Sequence, residues 1–301
     1  MNLPASMQVF ERGWLSSNNI LFIDDAHTAL VDSGYQTHAP QTLALAQHAL
    51  RGRGLDLLVN THLHSDHCGG NALLQSHYGC RTLIPVADVD AVSVWDEARL
   101  PYRATGQQCE RFHFDGSIDH GDSLQLGGLP WQVIAAPGHD PHSMVLYCAQ
   151  EAILISADAL WENGFGVIFP ELEGESGFAE QAAILQCIRE LDVRTVIPGH
   201  GAPFSDVQGA LARAQSRLDY LSTDPKRNAR NALKVMLAFL LLDTQQLSLA
   251  NVCQQLGNNR LMQAAAAQLD MPLDALMVQL ADELVRAGAA HLEGDILFNG
   301  R

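Results

Sequence analysis

The stretch THLHSDHCGG, Thr61–Gly70, places three histidines and an aspartate within six residues, His62 to His67. Imidazole nitrogens and carboxylate oxygens are the ligands that zinc and similar ions prefer. His62 and His64, two residues apart, can aim at one ion. After a turn, Asp66 and His67 can aim at a second. One isolated tetrahedral site would not need four side chains from so short a segment. The pair Gly69–Gly70 permits a tight turn and a close approach of backbone to metal.

Three later segments each run from an apolar stretch into one ligand-type residue. AAPGHDPHS supplies His139, LISADAL supplies Asp158 and TVIPGHGAP supplies His200. A lone histidine at the start of a loop is commonly structural. Together with the first motif, however, these residues complete a set. His62, His64 and His139 suit one ion, Asp66, His67 and His200 suit the other, and Asp158 falls between them.

The surrounding pattern is that of an α/β protein. NILFIDD and TALVDSG read as a pair of hairpin-like strands ending at Gly34. QTLALAQHALRGRG has helical spacing and a glycine stop at Gly54. LDLLVN, Leu55–Asn60, is a short buried strand feeding directly into the histidine motif. NALLQSHYG is a short helix ended by Gly79, and RTLIPVA is the next strand. The motif therefore sits at the C-terminal end of a strand, where α/β folds carry chemistry. Strand candidates follow in DSLQLGG, LPWQVIAAPGH, HSMVLYCAQ and AILISADAL. FAEQAAILQCIREL is a helix, VRTVIPGHG a strand and SDVQGALARAQSRLDYLS a further helix. Pro225 breaks the chain there, dividing it into 1–224 and 225–301. Beyond it, helices are expected over about 228–243, 248–256, 258–269 and 273–287, before a terminal hairpin turning at Gly294.

At 301 residues and 47% hydrophobic, the chain is long and apolar enough for one large folded domain with an appendage. Residues 1–224 carry 11 Lys+Arg against 27 Asp+Glu, which accounts for the whole net charge of −16, while 225–301 holds 7 of each. Such an acidic body disfavours nucleic acid as a partner. MNLPASMQVFERGW lacks the basic and apolar regions of a signal peptide, and VMLAFLLL (Val235–Leu242) is too short to span a bilayer. A cytoplasmic protein without membrane attachment is expected. The six cysteines form no CxxC pair, which argues against a zinc ribbon or a disulfide framework. Most read as small buried hydrophobes, Cys68 alone being ambiguous because it lies inside the histidine motif.

On these residues the sequence resembles the metallo-β-lactamase superfamily, specifically its binuclear hydrolases of the glyoxalase II and lactonase type. The family's HxHxDH stands as His62, His64, Asp66 and His67. Its single downstream histidine, bridging aspartate and final histidine stand as His139, Asp158 and His200, and LVDSG (Leu30–Gly34) matches a family strand. The resemblance covers about residues 8–205. It implies a four-layer αβ/βα sandwich with metals at the sheet edge, while the helices and hairpin expected beyond Pro225 form a C-terminal helical appendage that resembles a winged-helix module. It further implies two divalent ions, zinc first with iron or manganese compatible, and a metal-bridging hydroxide that cleaves a thioester or related ester. Asp66 would shuttle the proton. No GxSxG elbow offers a competing serine nucleophile.

Two departures bear on the substrate. Glyoxalase II enzymes typically read Gly-Asp where this chain has Ala157–Asp158, and often His-Glu where it has His200–Gly201. The bridging residue is Asp and not Cys, unlike the best-known enzymes that open β-lactams. Trp161, Phe165 and Phe169, in the loop after Asp158, are candidates to wall an apolar pocket. Lys226, Arg230 and Lys234 share one helix face and could clamp the anionic carrier of a thioester, as for a hydroxyacylglutathione hydrolase. A lactonase would use the same centre without that clamp. An iron-dependent sulfur dioxygenase, resembling this fold with one iron held by two His and one Asp, is disfavoured by the seven-residue set. A non-enzymatic regulator is disfavoured by the intact ligands. A small-molecule thioester, ester or lactone is the expected partner, with a homodimer left open.

Overall fold

The computed structural model describes residues 3–250, 252 and 259–300. Most of the helix expected over 248–256, and Cys253, lie outside them. Strands β1 (Met7–Phe10), β2 (Asn19–Ile23), β3 (Thr28–Val31), β4 (Leu57–Val59), β5 (Arg81–Pro85) and β6 (Gly116–Ile118) form one six-stranded sheet in sequence order. The first three are antiparallel, and β3 to β6 run parallel. A second sheet has the order β11-β10-β9-β8-β7. Its strands are β7 (Ser123–Leu126), β8 (Leu129–Ala135), β9 (Met144–Cys148), β10 (Ile153–Ala157) and β11 (Thr195–Pro198), with only the β10/β11 pair parallel.

Side-chain alternation along the strands explains the layering. Ile20, Phe22, Val31 and Val59 of the first sheet pack with Trp131, Val133, Leu146, Ile155 and Ile197 of the second. The alternate residues Leu21, Leu30 and Leu58 point outward onto helices α1 (Ala39–Leu50) and α3 (Asn71–Tyr78), through Ala46, Leu50 and Leu74. Val145, Leu154 and Val196 do the same on the far side, against α6 (Phe178–Glu190) and α7 (Val207–Thr223). The result is the expected αβ/βα sandwich. A four-residue turn of helix, α2 (Ser65–Cys68), carries the central part of the histidine motif, and α4 (Val89–Val94) and α5 (Pro101–Thr105) share a core cluster with Ile84 of β5.

Some boundaries differ from expectation. Helix α1 ends at Leu50 and not near Gly54, because Arg51 itself adopts the left-handed conformation (φ 51°) and its N–H closes on Gln47 O. Strands β1 and β6 were not foreseen; β6 is only Gly-Ser-Ile, too short to show a period. Past α7, the single residue Asp224 caps α8 (Pro225–Thr244), its side chain accepting from Lys226 N. Helices α9 (Arg260–Gln268) and α10 (Leu273–Arg286) follow. A small antiparallel sheet, β12 (Gln246–Ser248), β14 (Ile296–Asn299) and β13 (Ala290–Glu293), closes the chain, with Gly294 (φ 63°) at the expected hairpin turn. The C-terminal segment is fastened to the sandwich. Tyr35 and Thr37 hydrogen-bond Asp243 of α8, and the buried Asn228 amide donates to Ile168 O at 2.8 Å. No described helix is long and apolar enough to cross a membrane. All described cysteines are free thiols, and Cys68 lies buried against Leu63 O, His64 O and the Tyr102 hydroxyl, outside both clusters described below.

Candidate metal centre

The seven residues converge from four loops that follow strands. His62, His64 and His139 have ligand atoms within 4.8 Å of one another, as do Asp66, His67, Asp158 and His200, and all seven are buried. Asp158 lies between the groups: its Oδ2 is 3.3 Å from His139 Nε2, and its Oδ1 is 3.5 Å from His67 Nε2. Asp66 Oδ2 is 3.0 Å from His200 Nε2.

The sheets create this convergence. The histidine loop leaves β4, His139 follows β8, Asp158 follows β10 and His200 follows β11. The loop between β1 and β2 ties the pieces together. Ser17 N donates to Asp66 O, and Asn18 donates from its backbone to Gly199 O and from its side chain to Pro198 O and Gly201 O. Gly199 is required by space: a Cβ there would overlap Asp158 Oδ1 and come 3.0 Å from His67 Cε1. Gly166 likewise lies against the His139 ring.

Hydrogen bonding settles which nitrogen of the His62, His67 and His139 rings faces inward. Asp32 accepts from Thr61 N at 2.9 Å, from Thr61 Oγ1 at 2.8 Å and from His67 Nδ1 at 2.7 Å. The Thr61 hydroxyl proton is thereby engaged, so Thr61 Oγ1 accepts from His62 Nδ1 at 3.2 Å. His139 Nδ1 donates to Val167 O. With Nδ1 engaged outward, His62, His139 and His67 all turn Nε2 towards the centre. His62 Nε2 and His139 Nε2 lie 3.1 Å and 2.7 Å from the same atom, His64 Nδ1. One proton on that atom can satisfy only one of them, whereas a cation satisfies all three. In the second group, His67 Nε2 is buried without a hydrogen-bond partner. It faces two carboxylates, an arrangement a shared cation resolves. The nitrogen and carboxylate donor set fits zinc, iron or manganese.

Electrostatics agree. Burial pushes the His64 and His139 imidazolium pKa down to about 4 and that of His62 well below the ordinary range, so these rings are neutral. Burial also opposes charge on His67, but Asp32, Asp158 and Asp66 outweigh it and raise its pKa well above normal. Burial works against ionisation of Asp158 and Asp66 too; His67 and His200 prevail, and both carboxyls are held below their usual range.

A cavity of about 560 Å³ opens onto the centre. His64, Asp66, His139, Asp158 and His200 form its floor, and the expected Trp161, Phe165 and Phe169 stand in its wall. Trp161 Nε1 donates to Asp158 Oδ1 at 3.2 Å, and Phe169 packs edge-on against His64. Helix α8 supplies much of the opposite wall through Val235, Ala238, Phe239, Leu241 and Leu242.

Lys226, Arg230 and Lys234 are not brought to this cavity. Lys226 pairs with Asp270 at 2.7 Å, while Arg230 and Lys234 both pair with Glu283 of α10. The shared helix face is real, but its partners are carboxylates of the same C-terminal segment. His142, three residues after His139, pairs with Asp88 at 2.7 Å.

Sequence reasoning missed three contributors. Asp32 lies in the LVDSG strand but carried no assigned role. Asn18 gave no signal. Trp14, 59% exposed, stacks on His200 with centroids 5.3 Å apart and rings 11° from parallel. A tryptophan in a Gly-Trp turn was the available hint.

A family model described as Metallo-beta-lactamase superfamily matches residues 12–200. A hydroxyacylglutathione hydrolase of Stenotrophomonas maltophilia (strain R551-3) is 30% identical over 220 residues, covering 68% of this chain and 74% of that protein. A protein of the same name from Brucella anthropi is 30% identical over 156 residues, 51% of each, so the match spans about half of that relative's length. Among solved structures, a metallo-beta-lactamase family protein from Thermus thermophilus superposes over 99% of this chain and 100% of its own, with TM-score 0.59 and 18% identity. A beta-lactamase domain protein from Burkholderia ambifaria covers 100% of this chain and 94% of its own, with TM-score 0.58 and 17% identity. At these identities the structural likeness speaks to the fold, which extends through the C-terminal segment.

Proposed function

Because the chain belongs to the metallo-beta-lactamase superfamily, we propose that it is a metal-dependent hydrolase that cleaves a thioester or related ester of a small, largely apolar molecule. The observation that carries this reading is Asp158, whose two oxygens face His139 on one side and His67 on the other. It would join two three-residue groups, His62/His64/His139 and Asp66/His67/His200, around two divalent ions, with zinc the first candidate. Ions seated there supply Lewis acidity, which makes water nucleophilic near neutral pH and polarises a carbonyl.

The protein's own groups do the rest. Water's oxygen adds to the acyl carbon, the bond from that carbon to sulfur or oxygen breaks, and the products are a thiol or alcohol and a carboxylic acid, which releases its proton to solvent as the carboxylate forms. Asp66, ionised and lining the cavity floor, takes the proton from water and delivers it to the departing atom. Asp32 holds the inward tautomer of His67 through the 2.7 Å hydrogen bond. Trp161 holds Asp158 in orientation, and Phe165, Phe169 and helix α8 exclude bulk water. Residues 225–301 act, in this reading, as a second unit that completes the pocket.

The names of the relatives favour a thioester. The apolar wall, with Lys226, Arg230 and Lys234 engaged elsewhere, favours a lactone as the second reading. Metal-loaded protein assayed against thioesters, esters and lactones of matched acyl length distinguishes them. Hydrolysis of at least one class is expected, with Asp66→Asn lowering kcat by about 10²–10⁴-fold. Absence of turnover on every class, or full turnover by the variant, contradicts the reading.

A further inference from the structure

We infer that the substrate carries one anionic group, a carboxylate, separated from the scissile carbonyl by an apolar body, and that Arg217 receives it. This rests on the hydrolase reading above. Arg217 of α7 is the only lysine or arginine among the described residues lining the cavity. Its Nε is buried without a hydrogen-bond acceptor, and none of the ion pairs among the described residues involves it. The contrast with Arg213, one turn earlier, is direct: Arg213 donates to Glu162 O and pairs with Asp206.

An unpaired, half-buried guanidinium is out of place in this protein. The chain holds 34 acidic residues against 18 Lys and Arg, so carboxylate partners abound. Leaving a buried donor without an acceptor is costly, and guanidinium stays charged throughout the physiological range. The side chain is nevertheless held in place. Its guanidinium carbon lies 5.6 Å from the centroid of the Phe165 ring. Its stem passes Gly164, where a Cβ would come 2.9 Å from Arg217 Cδ. That loop also contains Trp161, which donates to Asp158. One short segment thus couples the reacting end of the cavity to a preorganised, vacant fork of donors suited to a carboxylate.

The test compares two series of medium-chain substrates, one carrying the terminal carboxylate on the acyl half and one on the leaving half, each matched to methyl-capped counterparts. Wild-type protein is expected to show a lower KM for a carboxylate member. In Arg217→Gln that preference should collapse by about 10- to 100-fold, and Arg217→Lys should recover part of it. Calorimetry with non-hydrolysable amide analogues of the same compounds gives a readout independent of turnover and should show the same loss. A phosphate-terminated analogue separates carboxylate from general anion recognition: tighter binding of the phosphate would overturn the carboxylate assignment. Equal effects of Arg217→Gln on charged and neutral compounds, or no effect on either, would overturn the inference while leaving hydrolysis intact. No turnover of any compound, with carboxylate-dependent binding preserved, would instead remove the hydrolase reading. Should Arg217→Gln fail to fold, the wild-type comparison of carboxylate and methyl-capped analogues decides: equal affinity refutes the proposal.

Discussion

Asp32 Oδ2 accepts a hydrogen bond from His67 Nδ1 at 2.7 Å, across 35 residues of sequence. The contact leaves His67 Nε2 as the only nitrogen of that ring able to face the centre. Asp32→Asn keeps the shape but weakens acceptance and admits the wrong tautomer. Metal affinity in the group containing His67 should fall about 10- to 100-fold with the fold intact. Competitive chelation measures it; unchanged affinity with normal kinetics would show that Asp32 does not orient His67.

Asp158→Ala removes the one carboxylate that faces both groups. Metal content by mass spectrometry should fall from two ions towards one, and turnover should be largely lost. A variant that retains two ions and full activity would refute the shared position of Asp158.

Gly199→Ala and Ala157→Gly probe two adjoining strand ends, joined by the hydrogen bond from Gly199 N to Ala157 O. A methyl at 199 meets Asp158 Oδ1 and the His67 ring, so Gly199→Ala should disable metal binding and lower stability by about 1–3 kcal/mol through overpacking. Ala157 already sits at φ 45°, a conformation glycine adopts freely. Ala157→Gly should therefore escape the usual penalty of about 0.5–1 kcal/mol for glycine in a strand. Denaturant titration checks both; a marked destabilisation by Ala157→Gly would contradict the strain at that residue.

Protein stripped of metal by chelation should lose stability on acidification from pH 6.5 to about 4. His64 and His139 have folded pKa values of about 4, below the ordinary 6.5, so the unfolded chain binds more protons in that window and stability rises with pH. The slope is about 1.4 kcal/mol per pH unit for each residue. His67 has the opposite sign: its raised pKa makes its contribution complete below pH 6.5 and lost only at higher pH. Flat unfolding free energies between pH 4 and 6.5 would contradict the neutral, buried state of the two rings.

Charge reversal of Lys226 and Lys234 should leave KM unchanged for every substrate, because their ammonium groups face Asp270 and Glu283 and not the cavity. A KM increase confined to anionic thioesters would restore the carrier clamp that the helix face first suggested.

Local arithmetic made the first half of the centre legible. His62, His64, Asp66 and His67 lie close together in sequence, so spacing alone put their side chains near one another, and each later candidate announced itself as a polar residue ending an apolar strand. The strands were legible for the same reason, since burial on one face repeats every second residue. Short strands such as β6 were not, because three residues hold no period.

What the sequence by itself determined was which residues could bind metal and that they sit at strand ends of an α/β protein; the sandwich architecture was what the family resemblance implied. What only the tertiary structure decided was partnership: that Asp32 sets the His67 tautomer, that Trp14 stacks on His200, that Lys226 and Arg230 answer carboxylates 44 and 53 residues away, and that Arg217 answers none among the described residues. The physical reason is range. Spacing along a strand or helix governs neighbours a few residues apart, whereas pairing between distant side chains follows from how sheets and helices pack, which no local period encodes.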